Sequence, residues 1–390
     1  MPYASGRVFH DADAHIMETA DWLKEYADPA FRDRVPDVFT DALSPGESQR
    51  VTEDLALHAD PEYRSHDAEE LMNRKNWRAI GATMKEDRPK ALDLLGFASQ
   101  LVFNTFTNAP LQAAEHGNDA DLVFAMADAH NRGMMDFCSV DKRLLSTCYV
   151  PLMDLERAPR IAEALIRDGA HSLLVAAACP KDHSPSHVAL DKVWAQAEEA
   201  GVPIVFHVGS GGNFFNRTYF QNGLPMEKDF HGGAENFRSV DYLAIPNPIM
   251  QTLGTMILDG VMERFPNLKF GVIELGATWV PSWMRYMDSA YDAFLRHEQR
   301  LQKLSMRPSE YVKRQVRVTP YPTEDVGWIS AQAGESVCLF SSDYPHVEGG
   351  RNPLGRFENS LANSSQSVKD HFFEGNFEDL MGPTLQRALS

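Results

Sequence analysis

The chain is poor in cysteine, and none of its cysteines falls in a binding pattern. Cys138, Cys148, Cys179 and Cys338 show no C-x-x-C spacing, which excludes a zinc-finger-like clip and a dense disulfide framework. Cys148 and Cys338 lie inside apolar runs, and all four read as buried structural thiols. Long apolar runs are also missing. Nothing approaches the roughly 20 residues that span a bilayer, so no membrane segment is expected. Positive charge is scarce: 37 Lys and Arg stand against 55 Asp and Glu, for a formal net charge of −18 with no local basic cluster. Such a chain repels a phosphate backbone, so nucleic acid is not an expected partner. The first residues, MPYASGR, lack the apolar centre of a secretory signal, and the expected location is cytoplasmic. Low-complexity tracts and internal repeats are absent as well.

What is present is the composition of a soluble globular protein, 43% hydrophobic and 10% aromatic. Short apolar or β-branched runs recur at Arg7–His10, Gln100–Phe103, Leu144–Val150, Ser172–Ala176, Pro203–His207, Leu268–Ile273, Gln315–Thr319 and Val337–Phe340. Between several of them lie stretches with helical periodicity: Leu122–Phe137, Ala158–Ile166, Leu190–Glu199 and Met250–Phe265. Near-continuous apolar strands alternating with helices predict a parallel sheet covered by helices. Eight such runs match a (β/α)₈ TIM barrel of the α/β class. Residues 1–390 then form a single barrel domain, distorted by long insertions at about 21–93 and 210–248. The first insertion holds helix-like polar material, Asp67–Trp77, placed to cap the barrel mouth. The second is rich in aromatics: Phe214, Phe215, Tyr219, Phe220, Phe230, Phe237 and Tyr242.

In such a barrel the C-terminal strand ends converge on one rim, so polar residues there become neighbours whatever their sequence separation. The first strand runs into DADAHIME, residues 11–18, where alternation puts Asp11, Asp13 and His15 on one side. The fifth ends in His207, the sixth in Glu274 and the eighth in Asp343, followed by His346. Ionised groups closing four hydrophobic strands are costly to bury without a counter-charge. Imidazole and carboxylate together suit Zn²⁺, Mn²⁺ or Fe²⁺, with the carboxylate share leaning toward Mn²⁺.

DADAHIME at 11–18, Phe206-His207, FPNLK at 265–269, ELGATWVP at 274–281 and SDYPH at 342–346 together resemble the amidohydrolase superfamily. Within it they are most similar to the branch that contains aminocarboxymuconate semialdehyde decarboxylase and the aromatic acid decarboxylases. The resemblance implies a distorted (β/α)₈ barrel with one divalent metal, held by Asp13, His15, His207 and Asp343. It gives His346 a place beside Asp343 rather than on the metal. Two positions depart from the family pattern: Asp13 stands where His or Glu is usual, and Glu274 where the decarboxylases carry His.

Two chemistries follow. A decarboxylase would bind the substrate carboxylate at the metal and protonate the carbon that loses CO₂, and a hydrolase would use Asp343 or Glu274 to activate water. A third possibility is a barrel that has lost its metal and only binds. The expected substrate is a small, flat, anionic and partly aromatic or unsaturated acid. Phe214 and its neighbours offer stacking surface for it, and Arg217, Arg238 and Lys228 offer charge for its carboxylate. The resemblance also implies a homodimer.

Overall fold

The computed structural model describes residues 2–38, 45–209, 216–225 and 239–390. Seven strands form one sheet in the order β1-β2-β3-β4-β5-β6-β7. They are β1 (His10–His15), β2 (Ser99–Phe103), β3 (Leu144–Tyr149), β4 (Ser172–Leu174), β5 (Ile204–His207), β6 (Phe270–Ile273) and β7 (Val316–Val318). Every neighbouring pair is parallel. A parallel neighbour requires a crossover, and the helices Ala120–Cys138, Arg157–Arg167, Asp191–Ala200 and Asn247–Leu258 lie in four of the six. The result is the expected (β/α) barrel.

The eighth place in the ring is taken by residues 337–344, which lack regular strand geometry but bond on both flanks. Toward β7, Val318 N–H donates to Val337 O (2.8 Å) and Leu339 N–H to Val318 O (3.1 Å). Toward β1, Ala12 N–H donates to Phe340 O (3.1 Å), Asp343 N–H to Asp13 O (2.9 Å) and His15 N–H to Tyr344 O (2.7 Å). Side chains pin this segment where the ladder is thin. Phe340 packs on Phe9, Phe97, Phe357, Phe372 and Phe373 with ring centroids 5.6 to 6.3 Å apart. A fully buried Phe contributes about 1.5–3 kcal/mol, comparable to several net hydrogen bonds.

Three sequence expectations need correction. The first strand is His10–His15 rather than Arg7–His10, because an apolar-run criterion stops where the inward side chains become polar. Met250–Phe265 is two helices, Asn247–Leu258 and Val261–Arg264, separated at Gly260, whose φ of 78° leaves the right-handed helical region. Asp67–Trp77 is a succession of turns, with a short 3₁₀ turn beginning at Asn76. That segment still reaches the rim: Asn76 N–H donates to Pro345 O (2.9 Å) and Tyr344 Oη–H to Ile80 O (2.7 Å). Cys138, Cys148 and Cys338 are buried as expected, whereas Cys179 is exposed in the polar loop after β4. No helix among the described residues is long and apolar enough to cross a membrane.

Candidate metal centre

The local register of β1 decides which of its side chains reach the rim. His10 pairs with Ser99 and Asp11 with Gln100, but the next pairs are Ala14 with Val102 and His15 with Phe103. One extra residue in β1 makes a bulge, and a bulge reverses the parity of the alternation. Asp11 therefore faces away from Asp13 and His15, contrary to the simple period-two expectation. It accepts from Gln100 Nε2 (2.9 Å), Ser342 N (2.7 Å) and Ser342 Oγ (2.6 Å). Burial still pushes its carboxyl up to about 7.

Asp13 and His15 meet residues from three other strand ends. Ligand-type atoms of Asp13, His15, His207 and Glu274 all lie within 4.8 Å of one another, as do those of His15, Glu274, Asp343 and His346. His15 Nε2 is 3.0 Å from Asp13 Oδ1, 3.6 Å from Asp343 Oδ1 and 3.9 Å from Glu274 Oε2. His207 Nε2 is 3.1 Å from Glu274 Oε2 and 3.4 Å from Asp13 Oδ1. All six side chains are buried. Asp13, although shorter than the usual Glu or His, thus reaches both imidazoles.

The orientation of the imidazoles is set from outside the cluster. His15 Nδ1 lies 3.0 Å from Asn104 O, and His207 Nδ1 lies 3.0 Å from Val208 O. A carbonyl can only accept, so Nδ1 carries the proton in each ring and the neutral Nε2 presents a lone pair. Those lone pairs face carboxylate oxygens. Asp13 Oδ1, His15 Nε2, His207 Nε2 and Asp343 Oδ1 are buried with no hydrogen-bond partner among the described residues. Acceptors converging on acceptors repel unless a cation lies between them, and the separations of 3.0, 3.6 and 3.9 Å around His15 Nε2 are those of ligands sharing one ion with bonds of about 2.0–2.2 Å.

The protonation equilibria show the same frustration. Burial pushes Asp13 up, but its attraction to His15 and His207 outweighs this and holds it well below the carboxylate range. Burial pulls His207 down, yet Asp13 and Glu274 lift it to about 10, so with no ion between them Nε2 takes up a proton against the two carboxylates, the place a bound cation would occupy. His15 falls to about 4 through burial and the field of His346. Glu274 is driven well above its ordinary value by burial and by Asp343. Backbone strain marks the same residues: Glu274 (φ 55°), Asp343 (φ 54°) and Asn76 (φ 53°) are the described non-glycine residues with positive φ. That region costs an ordinary L-residue about 1–2 kcal/mol and persists where the surroundings over-determine it.

A family model for amidohydrolases matches residues 10–380. The chain belongs to the amidohydrolase family. It is thereby an enzyme of a family of metal-dependent carboxy-lyases and hydrolases. Among solved structures it resembles an amidohydrolase of Mycobacterium avium subsp. paratuberculosis, with a TM-score of 0.74 at 23% identity, covering 97% of this chain and 100% of that one. It also resembles the 5-carboxyvanillate decarboxylase of Novosphingobium aromaticivorans, solved with manganese and a nitrobenzoic acid (TM-score 0.66, 15% identity, 96% and 97% covered). A third is the dihydroxybenzoic acid decarboxylase of Polaromonas, solved with manganese and 2-nitroresorcinol (TM-score 0.62, 15% identity, 96% and 97% covered). Among curated proteins, no sequence matches significantly.

This amidohydrolase brings the strand-end residues Asp13, His15, His207, Glu274 and Asp343 together, with His346 beside them. Phe214, Arg238, Lys228, Phe215, Phe230 and Phe237 lie outside the described residues, as does the side chain of Arg217. Of the second insertion's aromatics, Tyr219 is exposed and Tyr242 packs on Tyr321 at 5.2 Å. Tyr321 in turn donates its hydroxyl to Glu274 O (2.8 Å), tying that insertion to the end of β6.

A buried cation escaped the sequence reading. Lys75, in the first insertion, has its Nζ buried with no hydrogen-bond partner among the described residues. Burial pulls it down to about 8, and Asp343 and Glu348 are the charges that act on it most strongly. A lysine in a polar segment gives no sequence signal, because such charges are normally solvated.

Proposed function

We propose that this amidohydrolase is a metal-dependent, non-oxidative decarboxylase of a small aromatic or unsaturated carboxylic acid. The observation that carries the reading is the set of buried, unpartnered acceptor atoms on Asp13, His15, His207 and Asp343. Those four residues would hold one divalent ion, and the carboxylate-rich donor set favours Mn²⁺ over Zn²⁺ or Fe²⁺. When bound, that ion supplies positive charge for a substrate carboxylate and a neighbouring oxygen. The manganese in two structural relatives supports the choice.

The chain's own groups cover the rest of the chemistry. Lys75 offers an ammonium to an anionic substituent, and the burial that keeps water from it strengthens the pairing. Glu274, whose carboxyl burial and Asp343 push up from its ordinary value, offers an acidic group at the cluster edge. The bond to the carboxylate breaks, CO₂ leaves, and the electron pair left on carbon takes the proton from Glu274. Asp13, His15, His207 and Asp343 stay fixed throughout.

Hydrolysis is the alternative, because a carboxylate at position 274 can also take a proton from water. Purification without chelator followed by metal analysis, then CO₂ release from hydroxybenzoates and muconate-like acids beside ester and lactone hydrolysis, separates the readings. Near-stoichiometric divalent metal with CO₂ release is expected. A metal-free protein sinks the proposal, and hydrolysis without CO₂ release replaces it with the alternative.

A further inference from the structure

The loop that follows β2 is held more firmly than its length requires. The Glu18 carboxylate, buried, accepts from the N–H groups of Thr105 (3.0 Å), Phe106 (3.2 Å) and Thr107 (3.1 Å) and from Thr107 Oγ1 (2.6 Å). Trp77 stacks on Phe106 at 5.3 Å with planes 2° apart, and its Nε1–H donates to Glu18 O (3.2 Å). A buried carboxylate with four donors is costly to assemble and rigid once assembled. Thr105, which it holds directly, and Asn104 just before it are the residues that touch two imidazoles of the cluster.

Asn104 O takes the proton on His15 Nδ1. Thr105 Oγ1 lies 2.7 Å from Ile16 O and 2.8 Å from His346 Nε2, with His15 Nδ1 farther off at 3.5 Å. A hydroxyl has one proton, and the Ile16 carbonyl can only accept it. Thr105 Oγ1 therefore accepts from His346, whose Nε2 must carry a hydrogen. That choice turns Nδ1 toward Asp343 Oδ1, 3.0 Å away. The ring itself lies flat on His15, with centroids 3.9 Å apart and planes at 23°.

We infer that Thr105 is a positioning residue: by accepting the Nε2–H of His346 it holds that ring with its Nδ1 lone pair facing Asp343 Oδ1, where a cation would lie between them. Thr105, clamped by Glu18, and its neighbour Asn104 thereby set two stacked imidazoles at once, His15 through a carbonyl and His346 through a hydroxyl. His346 then presents its Nδ1 lone pair at the edge of the cluster, in the group that also holds His15, Glu274 and Asp343. The consequence for Mn²⁺ rests on the proposed function, while the consequence for the His346 tautomer does not.

The test compares wild type with Thr105→Val, which keeps the shape and loses the hydroxyl, and with Thr105→Ser, which keeps the hydroxyl. Histidine-selective ¹⁵N spectra of the metal-free proteins report the tautomer of His346, with His346→Gln as the assignment control. The Nε2–H form is expected in wild type and Thr105→Ser and is lost or mixed in Thr105→Val. Calorimetric titration with Mn²⁺ should show roughly 10- to 100-fold weaker binding for Thr105→Val and recovery in Thr105→Ser. An Nδ1–H tautomer in wild type, or an unchanged tautomer in Thr105→Val, overturns the inference. Mn²⁺ affinity in Thr105→Val equal to that of wild type overturns it as well. Failure of wild type to bind Mn²⁺ counts instead against the proposed function, and the tautomer spectra still decide the role of Thr105. If Thr105→Val fails to fold, Glu18→Gln, which weakens the clamp while leaving the hydroxyl, must perturb the same His346 signal or the inference falls.

Discussion

The protein buries carboxyl groups in two different ways, and the contrast separates support from chemistry. Glu115 lies in the helix Asn108–Glu115 and is fully buried, with donors for both oxygens: the Tyr149 hydroxyl bonds one, and Leu152 N–H bonds the other at 3.0 Å. Its partner Tyr149 is fixed in turn by Asn131, whose amide bonds Tyr149 O (2.9 Å) and N (2.6 Å). That cluster supplies its own donors. At the strand ends, by contrast, Asp13 leaves an oxygen facing the Nε2 atoms of His15 and His207, and Asp343 leaves one facing Nε2 of His15. A carboxyl that only supports the fold finds its donor within the chain; one that waits for an ion does not.

The contrast is broken most forcefully at Asp343. Asp343→Asn removes one negative charge from the cluster and puts an amide beside His15, so turnover is expected to vanish and divalent-ion affinity to fall at least 100-fold, with an unchanged circular dichroism spectrum. Wild-type activity in that variant would refute the role assigned to Asp343. A smaller effect is expected at Lys75, where removal of the charge with Lys75→Met leaves the cluster intact. The expected outcome is a KM for an anionic substrate raised about 10- to 100-fold, worth about 1.4–2.7 kcal/mol, with metal content unchanged. A KM equal to that of wild type would return Lys75 to the structural class that holds Glu115.

The same contrast explains how much of the molecule could be read in advance. Strands such as Leu144–Tyr149 and Ile204–His207 lie within their predicted runs, because apolar side chains on both faces leave a plain signal. β1 was displaced, since its sequence HDADAH is polar precisely where the site is built. Asp13, His15, His207, Glu274 and Asp343, read from the strand ends, lie together in the structure. The bulge that excludes Asp11 was illegible, because period-two alternation contains no information on an extra residue. Thr105 and Glu18 were equally hidden, one a loop hydroxyl and the other a carboxylate whose donors lie some 87 residues away in sequence. Lys75 was lost for a third reason: its burial depends on how the first insertion docks against residues 343–346, a tertiary fact.

The supporting carboxyl offers the finest test, because its energetics are pH-dependent in a defined direction. Burial, only partly offset by Tyr149 and the Leu152 and Met153 backbone, raises Glu115 from 4.5 to about 7 in the folded protein. Below about pH 4.5 the group is protonated in both states and imposes no penalty. Between about 4.5 and 7 the unfolded chain loses that proton while the folded one keeps it, so this group's contribution to stability falls as pH rises and levels off above about 7. The full swing corresponds to about 3 kcal/mol. Glu115→Gln cannot ionise, so its stability relative to wild type should rise by up to about 3 kcal/mol across that window. Urea unfolding at pH 4.5, 6 and 7.5 measures the difference, and parallel profiles for the two proteins would show that Glu115 is already ionised when buried, as an ion-binding carboxylate would be.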